Sequence, residues 1–227
     1  MLPIMDVSRW QGNIDWDKVK ASGLVSGVML KTVSTNRKLS KRKDGLYIDP
    51  TFEHNYAECK RLGIPVGVYY YTYAVSHTSA DAELSLLKTA LTGKTFELPI
   101  CVDVEDNKLR KLGKQALTDL TAYALATIEQ WGFYALLYTG LKFGENRLYM
   151  GGAALRKYDV WLARYPRDKS NTKPEDKPKT DFSFGMWQYT STASVPGVSG
   201  NVDLSHAYKD YTKIIAKKGL TRLREGA

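Results

Sequence analysis

Three acids fall within four residues in Ile100-Cys101-Val102-Asp103-Val104-Glu105-Asp106-Asn107. Pro99 and an apolar run lead into them. This predicts a buried strand with alternating faces, Asp103 and Glu105 on one and Val104 on the other. Carboxylates that close raise each other's cost of ionisation, so one can keep a proton near neutral pH beside a charged neighbour. That pairing suits general acid catalysis. A strand running out into a solvated acidic turn would carry the same residues, and the octapeptide fits either reading.

Other chemistries find less support. His54, His77 and His206 are scattered and read as surface or capping residues. Cys59 lies in a helical pattern and Cys101 in an apolar strand, so both read as buried thiols, and no Cys/His cluster suggests zinc. No GxGxxG or GxxxxGK[ST] follows a strand, which argues against a nucleotide-binding open sheet. The formal net charge is +9, concentrated in Lys31–Lys43, Lys108–Lys114 and Lys209–Arg224. Such an excess favours polyanionic surroundings. No nucleic-acid-binding signature accompanies it, so an anionic cell wall is the better candidate.

The acids need a scaffold. Ile4–Val7, Val25–Thr32, Pro65–Tyr73, Pro99–Asp103 and Ala135–Thr139 read as short buried strands. Helical patterns alternate with the first four: Trp16–Ser22 capped by Asp15, Phe52–Leu62, Ala80–Leu91 capped by Thr78 or Ser79, and Gln115–Trp131. This rhythm predicts parallel βαβ units. Ser34–Gly45 reads as a long polar loop. Leu141–Arg156 is weakly helical, and Asp159–Ala163, Phe184–Tyr189 and Val202–Leu204 are strands nearly without helices. The tail after Tyr208 is basic, a final docked helix or a linker.

Eight strands with this alternation predict a closed parallel barrel whose active face lies at the carboxyl ends of the strands. Those ends would deliver Asp6, Thr32, Tyr69 or Tyr71, Asp103, Glu105, Tyr138, Trp161, Gln188 and Asp203 to one face. Carboxylates ringed by aromatics are suited to cleaving a glycosidic bond, since sugar faces stack on Trp and Tyr. The same acids could instead bind Mg²⁺ or Ca²⁺ in a metal-dependent hydrolase. A glycan-binding barrel without catalysis is a further alternative.

Seven collinear segments carry a family resemblance: Asp6-Val7-Ser8-Arg9-Trp10-Gln11-Gly12 with Ile14-Asp15-Trp16, Gly67-Val68-Tyr69, Val102-Asp103-Val104-Glu105, Leu137-Tyr138-Thr139, Val160-Trp161-Leu162-Ala163-Arg164-Tyr165, Trp187-Gln188-Tyr189-Thr190 and Gly200-Asn201-Val202-Asp203-Leu204. From about Leu2 to Tyr208 the chain resembles glycoside hydrolase family 25, the Chalaropsis-type lysozymes common in phage endolysins and bacterial autolysins. The resemblance implies an α/β fold, an irregular (β/α)5β3 TIM-like barrel with eight strands and about five main helices. It implies hydrolysis of the β-1,4 bond between N-acetylmuramic acid and N-acetylglucosamine, with no metal or cofactor. Position by position, Glu105 would be the general acid, Asp103 its partner, and Asp6 and Asp203 would line the cleft. Tyr69, Tyr138, Trp161, Tyr165, Trp187 and Gln188 would form the sugar subsites. Where the family commonly reads Tyr-His-Phe this chain has Tyr69-Tyr70-Tyr71, so a role resting on that histidine is not carried over.

The family is generally taken to retain anomeric configuration. Retention needs either a carboxylate nucleophile or the substrate's own N-acetyl oxygen. An Asp-x-Glu pair at one strand end suits the second, with Asp103 orienting the acetamido group; direct attack by an Asp stays open. Residues 1–208 are expected to form the catalytic barrel and 209–227 a basic helix or linker. The partner is expected to be peptidoglycan in an anionic wall, met by a monomer without nucleic acid or membrane insertion. Met1–Asp6 lacks the charged and apolar regions of a secretory leader. The expectation is therefore synthesis in a host cytoplasm and release in the phage manner, or export by another route. The basic stretch Asn36–Lys43 and the loop Asp168–Asp181 are expected to shape the groove or simply to be solvated.

Overall fold

The computed structural model describes residues 1–166, 173–224 and 226, so residues 168–172 of the loop Asp168–Asp181 lie outside the described residues. Five strand–helix units come first. They are β1 (Leu2–Val7) with α1 (Trp16–Ser22), and β2 (Gly27–Lys31) with the hairpin β3 (Val33–Thr35) and β4 (Leu46–Ile48) before α2 (Phe52–Arg61). Then follow β5 (Val66–Tyr71) with α3 (His77–Leu91), β6 (Ile100–Asp103) with α4 (Lys114–Gln130), and β7 (Ala135–Gly140) with α5 (Leu141–Arg147). The strands β8 (Asp159–Ala163), β9 (Met186–Ala193) and β10 (Val202–Ala207) complete the sheet, and α6 (Tyr211–Lys218) ends the chain. Eight strands close in the order β1-β10-β9-β8-β7-β6-β5-β2.

The sequence-level expectation of an all-parallel barrel needs correcting. β10 runs antiparallel to both β1 and β9, while the other neighbours are parallel. Short returns without crossover helices allow an antiparallel partner, whereas parallel strands need a long crossover. The reversal places the start of β10, where Asp203 sits, beside the finish of β1. Asp6 and Asp203 are direct cross-strand partners.

Local signals account for most boundaries. Asp15 accepts the Lys18 N–H at 3.1 Å to start α1, and Gly23, at φ 65°, stops it in a left-handed conformation that other residues resist. Helix α3 starts earlier than expected because Ser76, not Ser79 or Thr78, is its cap: Ser76 accepts from the Ser79 N–H, and Ser79 reciprocates on the Ser76 N–H. Helix α5 stops at Arg147 rather than running to 156, since the Tyr149 N–H turns away to the Thr118 hydroxyl at 3.0 Å. The expected polar loop Ser34–Gly45 is instead the tip of the β3–β4 hairpin, paired Ser34 to Tyr47.

Two cores result. The outer one lies between sheet and helices. Leu117, Thr121, Ala124, Leu125 and Ile128 of α4 recur at helical spacing and are all buried there. Each fully buried aliphatic side chain contributes about 1.5–3 kcal/mol. The inner core fills the barrel with Met29, Cys101, Leu136, Trp161 and Met186. Tyr211 and Ile215 of α6 join it beside Ile4 and Leu98. These lie near the amino ends of the parallel strands, so α6 closes the end opposite the acids. Beyond it the Phe96 N–H meets the Thr221 carbonyl at 2.8 Å and the Arg224 N–H the Trp131 carbonyl at 2.9 Å. Cys59 and Cys101 are both free and buried. No helix among the described residues is long and apolar enough to cross a membrane.

Candidate active site

At the other end of the barrel is a cavity of about 150 Å³ lined by Asp6, Asp103, Glu105 and Asp203, together with Lys31, Gln188 and four aromatic side chains. Strand alternation explains the composition: Ile4 and Met29 fill the barrel one layer down, so Asp6 and Lys31, two residues on, point inward above them. A larger surface depression of about 710 Å³, between α4 and the turn at 148–154, gathers none of these groups.

Asp6 is buried, and its Oδ2 accepts from Gln188 Nε2 at 2.9 Å. Gln188 Oε1 accepts in turn from the Tyr138 hydroxyl at 3.0 Å and the Tyr165 hydroxyl at 2.9 Å. These bonds fix the amide with its N–H₂ toward Asp6. Asp6 and Asp203, direct cross-strand partners, are close enough for one carboxyl to share its proton with the other. Burial, then the Asp203 charge, pushes Asp6 well above the usual carboxylate range. Burial also raises Asp203, against the hydrogen bond from Asp6.

Asp103 ends β6, is 4% exposed, and its Oδ1 has no partner among the described residues. Burial first, then the charge of Glu105, pushes it well above its ordinary value, while Lys31 opposes the rise. Glu105 stands two residues past the strand and is only partly buried. Burial raises it too; Lys31 opposes, and Asp106 and Asp203 add to the rise. Val104 between them packs in the outer core, as alternation required. Asp106 does not continue the strand. It caps the next turn by accepting the Lys108 N–H at 2.7 Å and also accepts the Tyr71 hydroxyl at 3.1 Å.

The aromatics form a wall. Trp161 packs edge-on against Tyr138 (4.8 Å between centroids) and Tyr69 (6.2 Å), and its indole N–H donates to Ser205 at 2.9 Å. Tyr165 reaches the same cluster through Gln188. Trp187 is the exception. It lies between Met186 and Gln188, which face inward, so it projects from the outer face of the sheet, with its N–H on the Arg164 carbonyl at 2.8 Å. The implied sugar-contacting place of Trp187 is corrected accordingly: it is not on the cavity.

Lys31 is a site residue that the sequence reading, which places Thr32 at the strand end, does not include. The strand stops at Lys31, and because neighbouring strand residues face opposite ways, Lys31, in phase with Met29, points into the cavity and Thr32 does not. Thr32 is fully buried and donates its hydroxyl to the Tyr69 carbonyl at 2.9 Å, outside the cavity. The Lys31 ammonium lies 5.1 Å from the Tyr71 ring centroid and 5.8 Å from that of Tyr69. Its pKa is lowered by burial, against the attraction of Asp103 first and then Asp49. Inward parity with Met29 was the available signal. Trp10, 73% exposed with the Arg9 guanidinium 3.9 Å from its ring centroid, stands in the turn after β1 on the same face. Among the described residues no three His, Cys, Asp or Glu side chains converge as a metal-ligand set would.

The sequence matches the profile of glycosyl hydrolases family 25 over residues 5–198. The chain belongs to that family. Over 201 residues it is 27% identical to the autolytic lysozyme of Clostridium acetobutylicum, covering 88% of this chain and 54% of that protein, so it spans about half the length of that relative. The bacterial lysozyme of Streptomyces coelicolor superposes with a TM-score of 0.71 at 26% identity, over 95% of each chain. The modular autolysin LytC of Streptococcus pneumoniae, solved with a synthetic peptidoglycan ligand, superposes with a TM-score of 0.68 at 27% identity, over 90% of this chain and 46% of that one. In this family-25 fold the cavity occupies the carboxyl-terminal face of the parallel strands, where barrel enzymes carry their active sites.

Proposed function

We propose that the protein is a lysozyme, an N-acetylmuramidase that hydrolyses the β-1,4 bond between N-acetylmuramic acid and N-acetylglucosamine in bacterial peptidoglycan. The observation that carries this is the cavity itself: Asp103 and Glu105 from one strand end, Asp6 and Asp203 facing them, and Tyr69, Tyr138 and Trp161 around the rim, in a family-25 chain. The autolysin relatives and the ligand named for LytC support the substrate class.

Glu105 is the less buried of the pair, so it is the one a glycosidic oxygen can reach, and it acts as general acid. Its raised pKa keeps a proton available toward neutral pH. Asp103 lies deeper, and its unpartnered Oδ1 is an acceptor suited to the substrate's acetamido N–H. Held there, the acetamido oxygen attacks the anomeric carbon as the leaving oxygen takes the Glu105 proton; water then opens the cyclic intermediate, giving its proton back to the Glu105 carboxylate, with retention. Burial raises Asp103 more than Glu105 even with Lys31 beside both, so the bound acetamido N–H has to supply the further support for charge on Asp103. The Asp6–Asp203 pair and Gln188 fix the far wall.

The enzyme would act as a monomer on the bacterial wall, its basic surface drawing it to anionic polymers. Digestion of purified peptidoglycan, with mass spectrometry of the new reducing ends, tests the assignment. Muramic acid at the reducing end is expected; N-acetylglucosamine there, or release of peptides alone, would overturn it. The anomer formed first, read by proton NMR, tests retention.

A further inference from the structure

Helix α3 turns a mostly apolar face inward through Ala80, Leu84, Leu87 and Leu91, and Glu83 sits among them only 3% exposed. An acid so placed is costly unless it is well hydrogen-bonded. Its Oε2 accepts the Thr72 hydroxyl at 2.6 Å and its Oε1 the Tyr73 N–H at 2.9 Å. The Thr72 oxygen accepts the Ala74 N–H at 3.1 Å, and the Thr72 N–H donates to the Asp103 carbonyl at 3.1 Å. Glu83 therefore ties α3 to the residues that immediately follow Tyr71, and through Thr72 to the end of β6. Tyr71 lines the cavity, donates its hydroxyl to Asp106, and packs on Tyr73 with ring centroids 4.9 Å apart.

We propose that Glu83 is a positioning residue of the substrate cleft, fixing the Thr72–Tyr73 segment so that Tyr71 stands as the wall a sugar ring meets beside Glu105. The part concerning sugar rests on the lysozyme reading; the coupling of Glu83 to Tyr71 does not. Ionised, Glu83 accepts both hydrogen bonds. Protonated, it has to donate, and Thr72 Oγ1, already accepting from Ala74, would then keep a buried hydroxyl proton with no acceptor among the described residues. Burial pushes the Glu83 carboxyl up to about 7, against the two hydrogen bonds that hold it down. Only burial and these two hydrogen bonds act on it: α4, packed on α3, presents Leu117, Leu120, Thr121 and Ala124 beside Thr72 and Ala80. β5 presents the Tyr70 phenol, itself raised by burial and by Glu83, and the β3–β4 hairpin beside α3 brings Tyr47 but no charged strand residue.

The test uses the full chain and the Glu83→Gln and Thr72→Val variants. Amide protection factors at Thr72 and Tyr73, corrected for intrinsic exchange, are measured by NMR across the pH range around 7, without substrate. In the wild type they should fall as pH drops through about 7, and in Glu83→Gln they should not respond. With a soluble glycan fragment, Glu83→Gln should raise KM by about 2- to 30-fold with little change in kcat, and the wild-type rise of KM on acidification should vanish. Thr72→Val, which leaves Glu83 in place, should reproduce the KM effect, and it carries the test if Glu83→Gln does not fold. Wild-type protection that ignores pH, or a wild-type KM in both variants, would overturn the proposal. Because the exchange measurement needs no substrate, a protein that cleaves no peptidoglycan would refute the lysozyme reading while the coupling is still judged.

Discussion

Asp103→Asn separates function from stability. Asp103 is 4% exposed, and one of its oxygens lacks a partner among the described residues. Burying a carboxylate costs free energy that a neutral amide does not carry. Lys31 offsets part of this by attraction, and a net gain of about 1 kcal/mol on replacing the carboxylate by an amide would read as about 2–4 °C in Tm for a domain of this size. The pH dependence follows from the raised pKa. Between the unfolded value and the higher folded one, the native state binds more protons, so wild-type stability falls as pH rises through that window. Thermal melts should therefore show Asp103→Asn more stable than wild type at pH about 7.5 and the difference closing toward pH about 4, where wild-type Asp103 is protonated as well. Activity should fall in the same variant, because an amide carries no charge to support the reacting acetamido group. A variant that melts at or below the wild type at neutral pH, or a gap that persists in acid, would show that burial of Asp103 is not the strain described above.

Further outcomes follow from the site and from the basic surface. Glu105→Gln keeps shape but has no proton to give, so kcat should drop by about 10²- to 10⁴-fold with an unchanged melt; near-wild-type activity would remove Glu105 as the acid. Asp106→Asn, a cap rather than an acid, is the matched control and should lose far less. Lys31→Met removes the cation that opposes the rise of Asp103 and Glu105, so both should ionise at higher pH and the acid limb of the activity profile should move upward; an unmoved limb refutes the role given to Lys31. Activity should persist in excess EDTA, and loss restored by Mg²⁺ or Ca²⁺ would overturn a purely carboxylate mechanism. Lysis of whole cells should weaken with salt more than cleavage of a short soluble fragment, since attraction by a +9 surface is screened over about 10 Å at 0.1 M; equal sensitivity would make the basic surface incidental.

Local sequence determined the barrel's rhythm and the identity of its acids. Period-two strands, capped helices and the Asp103-x-Glu105 spacing are properties of a few consecutive residues, and the chain folds them as they read. Pairing across the chain is another matter. Gln188 donates to Asp6 across 182 positions, and nothing in either segment alone names the other. The direction of β10 decided that Asp203, at the start of its strand, would meet Asp6 at the finish of another. Strand parity, fixed by which face of each strand the closed barrel turns inward, put Lys31 into the cavity, Thr32 outside it and Trp187 on the outer face. The tie between Glu83 and Thr72 likewise exists only once α3 folds back on the segment that follows β5. Periodicity specifies which residues share a face; which faces meet, and so which charges are buried together, is decided by the closing of the sheet.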